Sequence, residues 1–210
     1  MNVIDRERRF RVPDLPPPPA PVEQAAFLRW VQQQEGRYEL VEGRVVMMTG
    51  VSRNHANVAL GIAAFLRSAL DRTVFQVVSA DFGVQTPAGI RYPDVMVDPA
   101  GRDGSELTTD APILIAEVLS PSSIAVDMVE KAAEYRQIES LTAYAVFAQD
   151  EPRVWAWIKG ENGWPGNPAM IEGPDAALEI PALRASVPLR AISEVRSTQR
   201  LKMNRRLPAE

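Results

Sequence analysis

A single acidic residue interrupts the most apolar segment of this chain. Glu117 lies within Ile113–Leu119, whose sequence ILIAEVL has the length and composition of a buried β-strand. Because an unpaired carboxylate in such a strand costs several kcal/mol, the fold must compensate Glu117. An arginine or lysine partner, a raised pKa that leaves the carboxyl neutral, or a bound cation would each do so.

A second carboxylate has similar surroundings. Asp94 lies in the strand-like segment Arg91–Val97, and residues 95–116 suffice for a turn and a neighbouring strand that brings Asp94 toward Glu117. Mg²⁺ and Mn²⁺ prefer such hard oxygen ligands, completed by water and substrate phosphate. A bound metal polarises a phosphoryl oxygen and lowers the pKa of an attacking water. The pair therefore predicts a metal site suited to phosphodiester hydrolysis, although a coincidental pair of surface acids would give the same pattern.

A lysine follows on the next predicted helix. Lys131 can fold back over the sheet toward the two carboxylates, where its ammonium would offset negative charge that develops on a phosphate. Asp127 precedes Lys131 by four residues, so an ordinary ion pair on the helix surface accounts for the lysine equally well. The sequence supports both interpretations.

The single histidine, His55, lies near the start of the most regular predicted helix. Its spacing to Ala59 and Ile62 places it at the edge of the apolar stripe, where a hydrogen-bonded, partly buried histidine is the commoner outcome. A general-base role is the alternative.

Helical and strand patterns are interleaved along the chain, which predicts an α/β domain with a mixed sheet. Helices are expected at 22–34, at 52–70 with Ser52 as N-cap, and from Ser122 or Ser123 to about Ile138. Strands are expected at 38–41, 44–48, 74–78, 82–86, 91–97, 113–119, 143–147 and 153–158, followed by an edge hairpin that includes 177–180 and a terminal turn of helix.

One folded domain is expected over residues 22–195. Residues 1–21 contain Pro13 and the run Pro16–Pro19, which favours polyproline II geometry, so we expect a disordered leader there. The segment Arg196–Arg206 contains basic residues and no acid, which predicts a basic flexible tail over 196–210.

The composition excludes several classes of protein. With no cysteine in the chain, a disulfide framework, a thiolate zinc site and a cysteine nucleophile are ruled out. The sequence MNVIDRERRF lacks the apolar stretch of a signal peptide, and no apolar run approaches the roughly 18 residues that a membrane span needs. We therefore expect a cytoplasmic protein with no membrane partner. The net charge of -4 argues against binding nucleic acid by general electrostatic attraction alone.

Several short motifs occur in a specific order. They are Pro93-Asp94, then EVLSPSS at Glu117–Ser123, then Asp127, Lys131 and Tyr135. Together they resemble the Uma-type restriction endonuclease family, which belongs to the PD-(D/E)XK nuclease superfamily. The resemblance extends upstream to Tyr38–Gly43 and His55 and downstream to the strand predicted at 143–147, and so covers residues 22–192.

The resemblance implies a restriction-endonuclease-like core, in which helices flank a mixed central sheet, and hydrolysis that depends on Mg²⁺ or Mn²⁺. By the matching motifs, Asp94 and Glu117 would be metal ligands and Lys131 the catalytic lysine. In the plain superfamily pattern the lysine lies two positions after the acid. This chain has Leu119 at that position, so the lysine would have moved to the following helix.

The resemblance also implies roles for three further residues. Glu39 matches an early acidic element and would complete the metal shell, directly or through water, with a structural pairing to a nearby arginine as the alternative. His55 and Tyr135 would contact the substrate or support the metal ligands.

These interpretations predict an Mg²⁺-dependent endonuclease that hydrolyses phosphodiester bonds in nucleic acid, with DNA as the expected substrate. Since cutting both strands of a duplex often uses two sites related by a two-fold axis, a homodimer is expected. The alternative is a catalytically silent dimeric binding or regulatory module on the same fold, which the acidic net charge and the displaced lysine favour. A metal-dependent hydrolase of small phosphate compounds is a third option, and it would require a closed pocket.

Overall fold

The computed structural model describes residues 16–120 and 123–192. The predicted tail at 196–210, most of the predicted leader and the alternative helix cap Ser122 lie outside these residues. Pro16, within the predicted leader, contacts the domain, because its carbonyl oxygen accepts a hydrogen bond from Trp30 Nε1 at 2.9 Å. No helix in the described ranges is long and apolar enough to cross a membrane.

Helices and strands are interleaved over the described residues. In chain order they are α1 (Gln24–Val31), β1 (Tyr38–Val41), β2 (Arg44–Met47), α2 (Arg53–Ala69), β3 (Phe75–Ser79), β4 (Gly83–Thr86), β5 (Gly89–Arg91), β6 (Val95–Pro99), β7 (Thr108–Thr109), β8 (Leu114–Leu119), a π-helical turn (Val126–Glu130), α3 (Lys131–Tyr135), β9 (Ala143–Ala148), β10 (Arg153–Ile158), β11 (Ala169–Glu172), β12 (Ala177–Ile180), a 3₁₀ turn (Pro181–Leu183), β13 (Ala185–Pro188) and α4 (Leu189–Ile192).

The strands form two larger sheets and one hairpin. The central sheet has the order β11-β10-β9-β8-β6-β3 and is mixed, because β8 pairs with β9 in parallel and with β6 in antiparallel fashion. A second sheet has the order β2-β1-β5-β4-β7. The hairpin of β12 and β13 and the short helix α4 agree with the predicted C-terminal hairpin and helical turn.

Local sequence explains the elements around the N-terminal half of the domain. The turn between β1 and β2 consists of Glu42 and Gly43, both with positive φ, as a two-residue hairpin with right-handed strand twist requires. Helix α2 begins after Ser52, whose Oγ accepts a hydrogen bond from the backbone N–H of His55 at 3.1 Å. The predicted cap is therefore confirmed, and the strands predicted at 38–41 and 44–48 form a hairpin.

The single strand predicted over 91–97 is wrong. Residues up to Arg91 belong to β5 in the second sheet, whereas Val95 begins β6 in the central sheet. Pro93 lacks a backbone N–H and restricts φ, which favours a break in pairing at this point. Asp94 therefore lies in the connection between two sheets and not within a strand.

The two faces of the central sheet carry different layers. On β8, Leu114, Ala116 and Val118 pack into the core beneath α2. Ile115 packs into the opposite core together with Tyr135 of α3. Because side chains alternate along a strand, Glu117 shares the α3 face with Ile115. The fold thus directs the buried carboxylate toward the helix that carries Lys131.

Candidate active site

Two backbone hydrogen bonds hold Asp94 and Glu117 together. The register of β6 against β8 pairs Val95 with Ala116, so Asp94 lies opposite Glu117 at the end of the ladder. The backbone N–H of Asp94 donates to Glu117 Oε2 at 3.3 Å, and the N–H of Val118 donates to Asp94 Oδ2 at 2.8 Å. Each carboxylate is thereby fixed by a backbone N–H of the segment that bears the other.

Lys131 contacts both Glu117 and Asp127, the two partners that the sequence suggested as alternatives. Its Nζ lies 2.8 Å from Glu117 Oε1 and 3.2 Å from Asp127 Oδ1. Asp127 lies in the π-helical turn just before α3, and such turns occur frequently at functional sites. We call Asp94, Glu117, Asp127 and Lys131 the groove cluster.

Tyr135 and His55 support the two predicted metal ligands from opposite sides. Tyr135 is fully buried, and its hydroxyl donates to Glu117 Oε1 at 3.0 Å. His55 Nε2 lies 3.1 Å from Asp94 Oδ2. His55 is only 6% exposed, so it is more buried than the sequence predicted. Tyr135 therefore holds Glu117, and His55 holds Asp94, within hydrogen-bond distance.

The ionisable groups of the groove cluster have pKa values that shift in different directions, because their surroundings differ. Burial raises the pKa of Glu117 to about 8, with Lys131 acting in the opposite direction and the charges of Asp94 and Asp127 adding to the increase. Burial opposes the charged form of Lys131, but the surrounding carboxylates more than offset this and raise its pKa. Burial also disfavours ionised Asp94, yet the hydrogen bond from His55 and the nearby positive charge lower its pKa. The two predicted metal ligands therefore differ in protonation, because Asp94 favours its ionised form whereas Glu117 holds its proton up to about pH 8.

A second buried cluster lies beside the first and was not predicted. Arg91 Nη2 and Nε donate to Glu134 Oε2 at 2.6 and 3.0 Å, and Arg91 Nη1 donates to Glu39 Oε2 at 3.1 Å. Thr86 Oγ1 donates to Glu134 Oε1 at 2.5 Å, and the N–H of Tyr92 donates to Glu39 Oε1 at 3.1 Å. We call Arg91, Glu39 and Glu134 the scaffold cluster. It ties β1, β5 and α3 together.

The scaffold cluster gives Glu39 the structural partner that was the alternative to metal binding. Both Glu39 oxygens accept hydrogen bonds, although its side chain also lines the groove. The sequence signals for this cluster were the early acidic element that contains Glu39 and the position of Glu134, three residues after Lys131. Arg91 gave no signal of its own, because a charged residue at a strand end is usually solvated.

An open groove of about 280 Å³ gives access to the groove cluster. Its lining includes every residue of that cluster together with His55 and Glu39. The rim is apolar on the β2 side, where Met47 is 63% and Val51 54% exposed. A groove of this shape fits an extended ligand better than an enclosed small molecule.

The carboxylate oxygens that line the groove are suitable ligands for a divalent cation. Within residues 16–120 and 123–192, no donor reaches Asp94 Oδ1, so this oxygen can bind a ligand that enters the groove. No group of three or more His, Asp or Glu side chains in the same ranges is arranged to hold a metal. Mg²⁺ commonly binds one or two carboxylates and retains water or substrate phosphate as further ligands, so Asp94 and Glu117 suffice as protein ligands.

Comparison with known proteins identifies relatives of this chain. The Uma2 family model, described as "Putative restriction endonuclease", matches residues 24–188. Two uncharacterized proteins of Synechocystis sp., sll1609 and slr1290, are 29% and 28% identical over 146 and 141 residues, which cover 67% and 65% of this chain and 82% and 74% of theirs.

A solved structure has the same fold. It is a crystal structure described as a "putative nuclease belonging to DUF820" from Anabaena variabilis, with a TM-score of 0.64 and 14% identity, and the match covers 83% of this chain and 98% of that one. The predicted restriction-endonuclease-like α/β fold is thereby confirmed.

Proposed function

Since this chain belongs to the Uma2 family, we propose that it is a metal-dependent nuclease that hydrolyses phosphodiester bonds in nucleic acid at the groove cluster. The observation that carries this proposal is the joint fixing of Asp94 and Glu117, whose side chains exchange backbone hydrogen bonds beneath an open groove. The groove cluster contains three carboxyl groups and one ammonium, and a cation bound there would favour the ionised form of Glu117. Mg²⁺ is the expected ion, and Mn²⁺ is its substitute.

Each residue of the proposed site has a distinct task. Asp94 and Glu117 would hold the metal, which supplies polarisation of a phosphoryl oxygen and an acidified water. Lys131, held by Glu117, would offset negative charge that develops on the phosphate. His55 would keep Asp94 in its orientation, and Tyr135 would do so for Glu117. Glu39, whose carboxylate pairs with Arg91, would complete the metal shell directly or through a water molecule.

The finer features of the sequence-based prediction belong to the same proposal. These are DNA as the substrate, a homodimer and a cytoplasmic location. A homodimer would bring two grooves to one duplex. Size-exclusion chromatography with light scattering measures this directly, and a monomer at micromolar concentration would contradict it.

The proposed activity can be tested with four substrates. Plasmid, linear duplex DNA, single-stranded DNA and RNA are incubated with the purified protein in Mg²⁺ or Mn²⁺, and parallel reactions contain EDTA. We expect cleavage of at least one substrate, which EDTA and Glu117→Gln abolish. Asp98→Asn is the matched control, because Asp98 is a buried carboxyl on the same sheet that does not line the groove.

If all substrates remain intact while a nuclease control works, the activity is disproved. Calorimetry then decides whether the catalytically silent module is correct. Such a module should show no Mg²⁺ or Mn²⁺ binding that depends on Asp94.

A further inference from the structure

A second recess adjoins the groove and is not used by the proposed chemistry. Its volume is about 200 Å³, and it shares two lining residues, Met48 and Tyr92, with the groove. Tyr92 precedes Asp94 by two positions, a distance of at most about 7 Å along the backbone. A ligand in the recess would therefore lie next to a ligand at Asp94.

The lining of the recess combines apolar surface with one pair of opposite charges. Val31, Leu107 and Met48 contribute apolar atoms. Arg37 Nε lies 3.4 Å from Asp81 Oδ1, and both side chains are accessible, at 45% and 89% exposure. A mostly apolar recess with a few convergent polar groups is the usual form of a binding site for a small organic group.

Tyr92 presents a polar and an aromatic surface to this recess. Tyr92 lines the recess together with Arg37 and Asp81. Within the described ranges the Tyr92 hydroxyl makes no hydrogen bond to another residue. It is therefore available to a ligand.

The charges indicate which part of a nucleic acid would enter. A phosphate would gain from Arg37 but would be repelled by the adjacent carboxylate of Asp81. A nucleobase is uncharged, and its edge carries hydrogen-bond donors and acceptors side by side, which match a carboxylate and a guanidinium. A volume of about 200 Å³ equals that of roughly six or seven waters, which accommodates one heteroaromatic ring system.

We propose that this recess binds one unstacked nucleobase of the substrate, adjacent to the phosphodiester that occupies the groove. Arg37 and Asp81 would contact the edge of the base, and Tyr92 and Met48 would pack against it. The assignment rests on the proposed nuclease function for its substrate and implies that this substrate is single-stranded or has a base turned out of the helix. An enzyme that reads an unstacked base uses such stacking and edge contacts.

The test compares ligands that differ only in the base. Binding of nucleoside monophosphates and of ribose 5-phosphate is measured by saturation-transfer NMR in EDTA, so that no cleavage occurs. The same comparison is made by fluorescence anisotropy with a single-stranded DNA pentamer and a fully abasic pentamer. We expect the bases to strengthen binding by roughly fivefold or more, the lower end of what stacking one base contributes.

The variant Arg37→Ala should remove most of this difference between base-containing and abasic ligands. Arg190→Ala is the matched control, because Arg190 also forms an exposed ion pair, with Asp175. Thermal melting verifies that Arg37→Ala is folded. Equal binding of base-containing and abasic ligands by the wild-type protein overturns the proposal, as does an equal loss in both variants.

The binding and cleavage results together distinguish a failure of the base-binding proposal from a failure of the nuclease proposal. Base-dependent binding that requires Arg37, in a protein that cuts nothing, supports the recess and disproves the activity. Cleavage without base-dependent binding supports the activity and disproves the recess.

Discussion

The groove cluster and the scaffold cluster are built from the same chemical groups but differ in how their oxygens are used. Each places one buried cation among two or more carboxylates, and the side-chain exposure of Lys131, at 12%, is close to that of Arg91, at 5%. Both clusters also draw a residue from α3, namely Lys131 in one and Glu134 in the other.

The difference lies in the hydrogen bonds. Every carboxylate oxygen of the scaffold cluster accepts a hydrogen bond or ion pair from Arg91, Thr86 or the backbone of Tyr92. In the groove cluster, Asp94 Oδ1 has no donor among the described residues, and the carboxylate faces the groove. Buried charge is therefore common to both clusters, and the open acceptor at Asp94 distinguishes the proposed site from the scaffold cluster.

The largest expected effect is on stability and comes from breaking the scaffold cluster. Arg91→Met leaves Glu39 and Glu134 buried without their cation, which should lower the free energy of unfolding by about 3–5 kcal/mol. Urea denaturation followed by circular dichroism measures this. Adding Glu134→Leu should recover part of the loss, because one uncompensated carboxylate is removed. A loss below about 1 kcal/mol, the range of an exposed ion pair, would contradict a structural role for Arg91.

The corresponding change in the groove cluster should affect activity more than stability. Lys131→Met removes the cation that is proposed to offset charge on the phosphate, and we expect cleavage to slow by about 10²–10³-fold, as for the loss of other groups that stabilise developing charge. The groove admits water and metal ions to the remaining carboxylates, so the protein should lose less stability than Arg91→Met does. If both variants were equally destabilised, the distinction between the two clusters would fail.

A smaller effect should follow from loosening one ligand of the groove cluster. His55→Phe removes the contact to Asp94 Oδ2. Residues that orient a metal ligand typically contribute about 10–100-fold to metal affinity or activity. Titration calorimetry with Mn²⁺ measures the affinity, and His55→Gln, which retains a donor, should recover part of it. Unchanged affinity in His55→Phe would show that Asp94 needs no such support.

The smallest effect concerns Asp98, a buried carboxyl outside both clusters. Burial raises its pKa, although the hydroxyl of Thr109 donates to it at 2.8 Å. The pKa of Asp98 in the folded state lies above the unfolded value of about 3.9. The contribution of neutral Asp98 to the free energy of unfolding is therefore fully present when the pH is below the unfolded pKa. It is lost as the pH rises through the folded pKa. Asp98→Asn should therefore be slightly more stable than wild type at pH 7.

The pH dependence provides the control for this prediction. Thermal melting of wild type and Asp98→Asn should show a difference at pH 7 that shrinks as the pH falls toward 4. A variant that is less stable than wild type at pH 7 would mean that the ionised carboxylate is stabilised in the fold.

Local sequence predicted the elements whose signals lie within the element itself. The boundaries of α2 follow from its Ser52 cap and apolar stripe, and β8 follows from the apolar residues on both sides of Glu117. The division of Arg91–Val97 between two sheets was missed, because both halves have strand composition and the identity of the pairing partner depends on distant residues.

The sequence by itself determined that Glu117 needs compensation, that Asp94 and Lys131 were candidates to provide it, and that the chain resembles a nuclease family. Only the tertiary structure decided how compensation occurs. The β6–β8 register sets Asp94 opposite Glu117, and the alternation of β8 turns Glu117 toward α3. The same packing assigns Glu39 to Arg91. Such choices depend on contacts between residues far apart in the chain, and a carboxylate has the same local sequence signal whether its partner is an arginine, a lysine or a metal ion.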